Sequence, residues 1–359
     1  MSWGRLTRIT ARLPQLLRGG MMIMSRTDGS CSPGALSRRR FITISGAAAG
    51  VSLFSGKALA STPTPLHRWE GIALGADASM ILVHPDKTVA DRLIERSVVE
   101  MRRLERIFSL YDGDSVLARL NRLGAIDRPP LAMVELLSRA QRISALTDGA
   151  FDVTVQPLWA HYARYFAQAD AAPAGPDVSA ALALVDWRLL RVAPERIAFG
   201  RPGMAATLNG IAQGFITDRI AQLLRSEGIG QVMVDLGEIR AMGRHPDGRP
   251  WRAGIRNPLR EGDLIGKLDL IDRALATSGG YGTVFDADGR YSHLIDPHTG
   301  RTAPVGRSVS VVAQDATTAD ALSTAFSLLD AAKIRSLLPK FPEISVYAAD
   351  ESGMHHIQA

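Results

Sequence analysis

Cysteine is nearly absent from this sequence: Cys31 is the only thiol in 359 residues. It precedes a short apolar run within the first sixty residues, so a chain processed after residue 60 contains none. Disulfides, cysteine-ligated zinc and cysteine nucleophiles are thereby excluded from the mature protein, and Cys31 cannot be its lipid-anchored first residue. An excess of one charge is lacking too, once the N-terminus is set aside. The whole chain has 42 Lys/Arg against 36 Asp/Glu, a net of +6, but nine of the basic and one of the acidic residues fall in 1–60. The rest carries 33 basic and 35 acidic residues, a net of −2. No basic patch argues for nucleic acid. Internal repeats and heptads are missing, and the apolar run from Ile44 through Phe54 is too short to span a bilayer.

Residues 1–60 do have the order of an export signal. Ser37-Arg38-Arg39-Arg40-Phe41-Ile42 is followed by the Ala- and Gly-rich apolar run, then by Ala58-Leu59-Ala60, with small residues where a signal peptidase reads. The paired arginines predict the twin-arginine type. The expected organisation is a signal peptide over 1–60, one domain over 61–359 and a periplasmic protein, with membrane association only through the leader.

In the mature chain, 61–65 reads as a linker and 79–83 as a strand ending at His84-Pro85. Apolar residues near one helical face predict helices over 89–107, 131–146 and 211–224, the last stopped by Gly228. Strands are expected at 231–236, 251–255, 266–270 and 307–313, a helix at 318–329, and a closing hairpin from 344–348 and 354–357. Gln168–Asp177, dense in Ala, Pro, Gly and Asp, reads as a loop insertion. Helices and strands mix without a βαβ rhythm, which predicts the α+β class.

Four segments carry polar residues and glycines that a plain core does not need. In Asp148-Gly149-Ala150-Phe151-Asp152, Gly149 suits a helix stop, and Asp152 sits among apolar residues, as either a buried site carboxylate or a turn cap. In Asn209-Gly210-Ile211-Ala212-Gln213-Gly214, the start of a helix offers N–H groups to phosphate oxygens; a simple Asn209 N-cap is the alternative. In Thr277-Ser278-Gly279-Gly280-Tyr281 small residues permit close approach of a ligand. His293, in a strand-like apolar run just beyond, is a candidate base or a satisfied structural histidine. In Asp320-Ala321-Leu322-Ser323-Thr324, helical spacing puts one carboxylate and two hydroxyls on one face. That all-oxygen set suits Mg²⁺; helix capping with a solvated polar stripe is the alternative.

In this order and spacing the segments resemble the FAD:protein FMN transferase (ApbE) family, from about Gly71 to the C-terminus. Further matches are Phe108-Ser109-Leu110-Tyr111, Val234-Asp235-Leu236-Gly237 and Ser292-His293-Leu294-Ile295-Asp296-Pro297-His298-Thr299-Gly300, the last being the most specific. The resemblance implies a single large ApbE-like (T-fold-like) domain that binds FAD and Mg²⁺, splits the FAD pyrophosphate, releases AMP and joins FMN through a phosphoester to a Thr or Ser of a target flavoprotein. It implies His293 as the base, Leu74, Tyr111, Asp152, Gln213, Leu275, Ser278 and Gly279 as FAD contacts, and Gly210, Asp320, Ser323 and Thr324 around the metal. The chain departs from the family pattern at Leu74-Gly75-Ala76, at Thr207-Leu208-Asn209, at Gln213 and at Gly237-Glu238, one glycine short. It is also similar to the exported ApbE-like accessory proteins of the nitrous oxide reductase system, which implies a membrane-bound acceptor. An FAD pyrophosphatase and a non-enzymatic flavin-binding assembly factor would use the same site residues.

Overall fold

The fold follows from two periodicities, one of strands with two buried faces and one of helices with a single apolar stripe. A computed structural model describes residues 64–358 apart from 169–171, 173 and 261; the expected leader and the core of the 168–177 segment lie outside the described residues. The first half of the chain forms β1 (Leu66–Ala73), β2 (Ala76–Val83), α1 (Lys87–Phe108), α2 (Val116–Leu123), β3 (Ala125–Asp127), α3 (Leu131–Leu146), α4 (Gln156–Phe166), α5 (Ser179–Leu182), β4 (Leu190–Val192) and β5 (Arg196–Phe199). The second half forms α6 (Ala212–Ser226), β6 (Val232–Asp235), β7 (Ile239–Met242), β8 (Trp251–Arg256), β9 (Leu264–Leu270), β10 (Ala274–Gly279), β11 (Ser308–Ala313), α7 (Ala316–Ser327), α8 (Ala331–Leu337), β12 (Ser345–Asp350) and β13 (Gly353–Ile357).

Eight strands pair antiparallel in the order β1-β2-β6-β7-β10-β11-β12-β13. Because side chains alternate across a strand, β2, β6, β7 and β10 each feed two cores. Met80, Leu82, Val232, Val234, Ala276, Val309 and Val311 point to the main core, packed with Leu93, Met101, Phe215, Ile220, Leu322 and Phe326 of the helices. Their neighbours Ile81, Val83, Met233, Ile239 and Leu275 point the other way, onto Trp251, Ala253 and Leu270 of the β8–β9 hairpin. A third cluster joins Leu158 and Tyr162 of α4 to Ile295, Phe285 and Tyr291. The class is α+β in a single domain, as the absence of a βαβ rhythm predicts.

The expected helices and strands appear within a few residues of their predicted bounds. Two readings change. The run holding His293 is not a strand but a loop with isolated bridges Val284–Ser292 and Ile295–Thr302. The residues just after the expected linker form β1, an edge strand that the polar alternation Arg68-Trp69-Glu70 conceals.

Candidate active site

The sheet face that carries the second core continues past it as the floor of a cleft. Arg68 and Glu70 of β1, Asp77, Ser79 and Ile81 of β2, Met233 and Asp235 of β6, Ile239 of β7, and Leu275, Thr277 and Gly279 of β10 all line it. They lie two residues apart on each strand, as one face requires. Gly254 and Arg256 of β8 bound it on one side, and Asp152, Val155 and Trp159 on another. The cavity volume is 660 Å³, within the ~300–1,000 Å³ range of cofactor sites.

At the β10 end, α6 and α7 bring polar groups from the far side of the sheet. The first turn of α6 has no side-chain cap at Ile211. Asp320 of α7 supplies one instead, its Oδ2 accepting the Gly214 N–H at 2.9 Å. Asn209 is therefore not the N-cap, and the Gly214 N–H is committed to a carboxylate rather than left for phosphate. Gly214 is required for this approach: a Cβ there would lie 2.2 Å from the Ala316 carbonyl oxygen. Thr324, one turn beyond Asp320, sits against Gly210, where a Cβ would lie 2.8 Å from Thr324 Oγ1. Ser278 Oγ reaches Thr324 Oγ1 at 3.2 Å and Ser323 Oγ at 2.8 Å.

Burial is the main cause that pushes the Asp320 carboxyl up to about 7; the Gly214 N–H pulls it back and nearby Asp218 raises it further. A cation at this carboxylate would relieve that penalty. The cleft as a whole points the same way. Glu70, Asp77, Asp152, Asp235, Glu238 and Asp320 line it against Arg68 and Arg256, so a dianionic pyrophosphate enters an acidic cavity unless a cation accompanies it. Asp320, Thr324 and the Gly210 segment are hard oxygen donors of the kind Mg²⁺ takes, with room for water and phosphate oxygens. The residues present fit that ion.

His293 lines the cleft beside Gly282 and Leu294. Its Nδ1 lies 3.0 Å from the Thr283 carbonyl oxygen. A carbonyl only accepts, so Nδ1 carries the proton and Nε2 is the basic nitrogen. Asp152 also lines the cleft, yet its oxygens are engaged as a cap. Oδ1 accepts the Thr154 N–H and O–H, both at 2.7 Å, and Oδ2 accepts the Trp187 N–H at 3.0 Å. Desolvation raises its pKa, with these bonds opposing. Gln213 lines the cleft and its Nε2 donates to the Leu236 carbonyl at 3.4 Å.

Of the residues singled out in the sequence, Asp152, Gly210, Gln213, Leu275, Ser278, Gly279, His293, Asp320 and Thr324 meet in this one cleft. Leu74, Tyr111 and Ser323 are not among its lining. Leu74 donates its N–H to Glu105, Tyr111 is 73% exposed, and Ser323 is fully buried behind Ser278. Sequence reasoning missed Arg68, Glu70 and Asp77, whose β1–β2 register places them on the floor, and Trp159 and Arg256.

The chain is thus an α+β domain with an acidic cleft laid across an antiparallel sheet. Residues 74–348 match the ApbE family, and the chain belongs to that family. It is 34% identical over 256 residues to an FAD:protein FMN transferase of Vibrio cholerae, covering 68% of this chain and 73% of the relative. It is 30% identical over 287 residues to one of Salmonella typhimurium, covering 75% and 80%. Among solved structures, the flavinyl transferase ApbE of Pseudomonas stutzeri in its apo form is similar with a TM-score of 0.68 at 27% identity, covering 82% of this chain and 94% of that one. The ApbE protein of Thermotoga maritima gives 0.70 at 29% identity, covering 81% and 97%.

Proposed function

We propose that this chain is an FAD:protein FMN transferase. The observation that carries the reading is the meeting, in one 660 Å³ cleft, of the Asp320–Thr324–Ser278 oxygen cluster with His293. The acceptor is a Thr or Ser hydroxyl of a target flavoprotein. His293 Nε2 takes its proton as the oxygen attacks the phosphorus of the FMN half; the bond from that phosphorus to the bridging oxygen breaks, and AMP leaves with that oxygen. A hydroxyl is a poor nucleophile, and such a base contributes typically ~10²–10⁴-fold. Mg²⁺, when bound, offsets the charge that builds on the leaving phosphate. Asp320 and Thr324 would hold it, Ser278 orients Thr324, and Gln213 and Asp152 shape the flavin-nucleotide walls.

We further propose that the protein is exported through its twin-arginine leader and serves the exported domain of a membrane-bound respiratory flavoprotein, as in nitrous oxide reductase maturation. The leader motif at 37–42 supports the route. Retention in the cytoplasm regardless of an Arg38→Lys, Arg39→Lys change would sink that part.

The test of the activity uses purified protein, FAD, Mg²⁺ and a flavoprotein domain bearing the acceptor hydroxyl. A denaturing gel of the products should show a fluorescent acceptor band. FMN and AMP released at the same rate without acceptor, with no labelled band, would favour a pyrophosphatase.

A further inference from the structure

α7, which carries Asp320 and Thr324, and its neighbour α6 cap one another. Asp320 of α7 takes the Gly214 N–H of α6. In return Asp218 of α6 takes the first turn of α7: its Oδ1 accepts the Ala316 N–H at 2.8 Å, and its Oδ2 accepts the Thr317 N–H at 2.8 Å and the Thr317 hydroxyl at 2.6 Å. The ordinary capping position of α7 is already served by Asp315, whose Oδ1 accepts the Thr318 N–H at 2.9 Å. Asp218 is buried and is not part of the cleft lining. A buried carboxylate is costly unless its bonds are complete. These three bonds come from a neighbouring helix, so they fix the rotation of α7 about its axis as well as its start. Asp320 lies three residues beyond Thr317, on the same side of that helix.

We infer that Asp218, acting through Thr317, is a positioning residue that aims the Asp320 carboxylate at a divalent cation. This rests on the metal reading above. Groups that orient metal ligands from outside the coordination sphere typically carry ~10–100-fold of metal affinity.

The probe is Mn²⁺, with free ion measured by electron paramagnetic resonance in the presence of full-length protein and FAD. Asp218→Asn should weaken Mn²⁺ binding by roughly 10–100-fold, and Thr317→Val should weaken it less, in the same direction. Thr317→Ser, which keeps the hydroxyl, should bind as wild type. FAD affinity measured in chelator should not change in any of them, which a general loosening of the fold would not spare. If Asp218→Asn does not fold, Thr317→Val decides alone. Wild-type Mn²⁺ affinity in the folded variants, with binding abolished by Asp320→Ala, overturns the inference and leaves the metal reading standing. No Mn²⁺ binding by the wild type overturns both.

Discussion

The Gly214 N–H and the Asp320 carboxylate, 106 positions apart in the chain, meet at 2.9 Å. That contact ties the start of one helix to the interior of another, and it places the only carboxylate of the oxygen cluster at the wall of the cleft. It makes the architecture and the chemistry of the site depend on the same residues, so substitutions there separate them in defined ways.

Asp320→Asn keeps an acceptor for Gly214 but removes the charge. FMN transfer should fall by at least ~100-fold, since a metal that offsets leaving-group charge loses its anionic ligand. Thermal stability without metal at neutral pH should hold or rise, because a buried charge is gone. Paired activity assays and melting curves test this; a large loss of stability would show that the carboxylate is structural.

The same residue sets a pH dependence. The unfolded chain ionises this carboxyl near the ordinary 3.8, whereas the folded, metal-free protein holds its proton up to about 7. Between these values the unfolded state binds fewer protons, so the contribution of Asp320 to stability falls as pH rises from about 4 to about 7. It is fully present below the lower value. Denaturant titrations across that window should show a steeper decline in the wild type than in Asp320→Asn. Mg²⁺ added above the window should raise the wild-type melting temperature and leave the variant unchanged.

Gly214→Ala tests the helix contact directly. The added methyl would face the Ala316 backbone at 2.2 Å, which no rotamer change relieves. A loss of about 1–3 kcal/mol is expected from the overpacking, read from urea unfolding. Transfer should suffer as well, since α6 and α7 separate at the point where Asp320 is held.

Much of this fold is legible in the sequence because its helices present apolar stripes and its inner strands are Val- and Ala-rich. α3 appears with the bounds its periodicity predicts. β1 was not legible, because one face of that edge strand forms the charged floor of the cleft while the other packs Trp69 and Ala73 on the core. α4 was not expected from the sequence; its Pro157 sits in the first helical turn, where proline is tolerated. Thr277-Ser278-Gly279, whose small residues pointed to a close ligand approach, is the end of a strand that finishes in the cleft. The ordered motifs pointed to the site, but the mutual capping by Asp218 and Asp320 left no local signal. Each carboxylate serves backbone about 100 residues away, and a single sequence carries no trace of that pairing.

His293→Gln should retain FAD binding while transfer falls by ~10²–10⁴-fold. Glutamine has no basic nitrogen, so any pH dependence of turnover that arises from protonation of His293 should vanish with it. Loss of FAD affinity in place of turnover would reassign His293 to binding.

The central claim is that FMN leaves FAD for a protein hydroxyl at the His293–Asp320 cleft. The measurement that meets it most directly is intact-mass spectrometry of an acceptor flavoprotein after incubation with this protein, FAD and Mg²⁺, with AMP quantified in the same reaction. The account predicts one acceptor hydroxyl heavier by an FMN less one water, one AMP per modified acceptor, and both products formed at least ~100-fold more slowly with Asp320→Asn. AMP without any change in acceptor mass, or modification at the wild-type rate in Asp320→Asn, would contradict it.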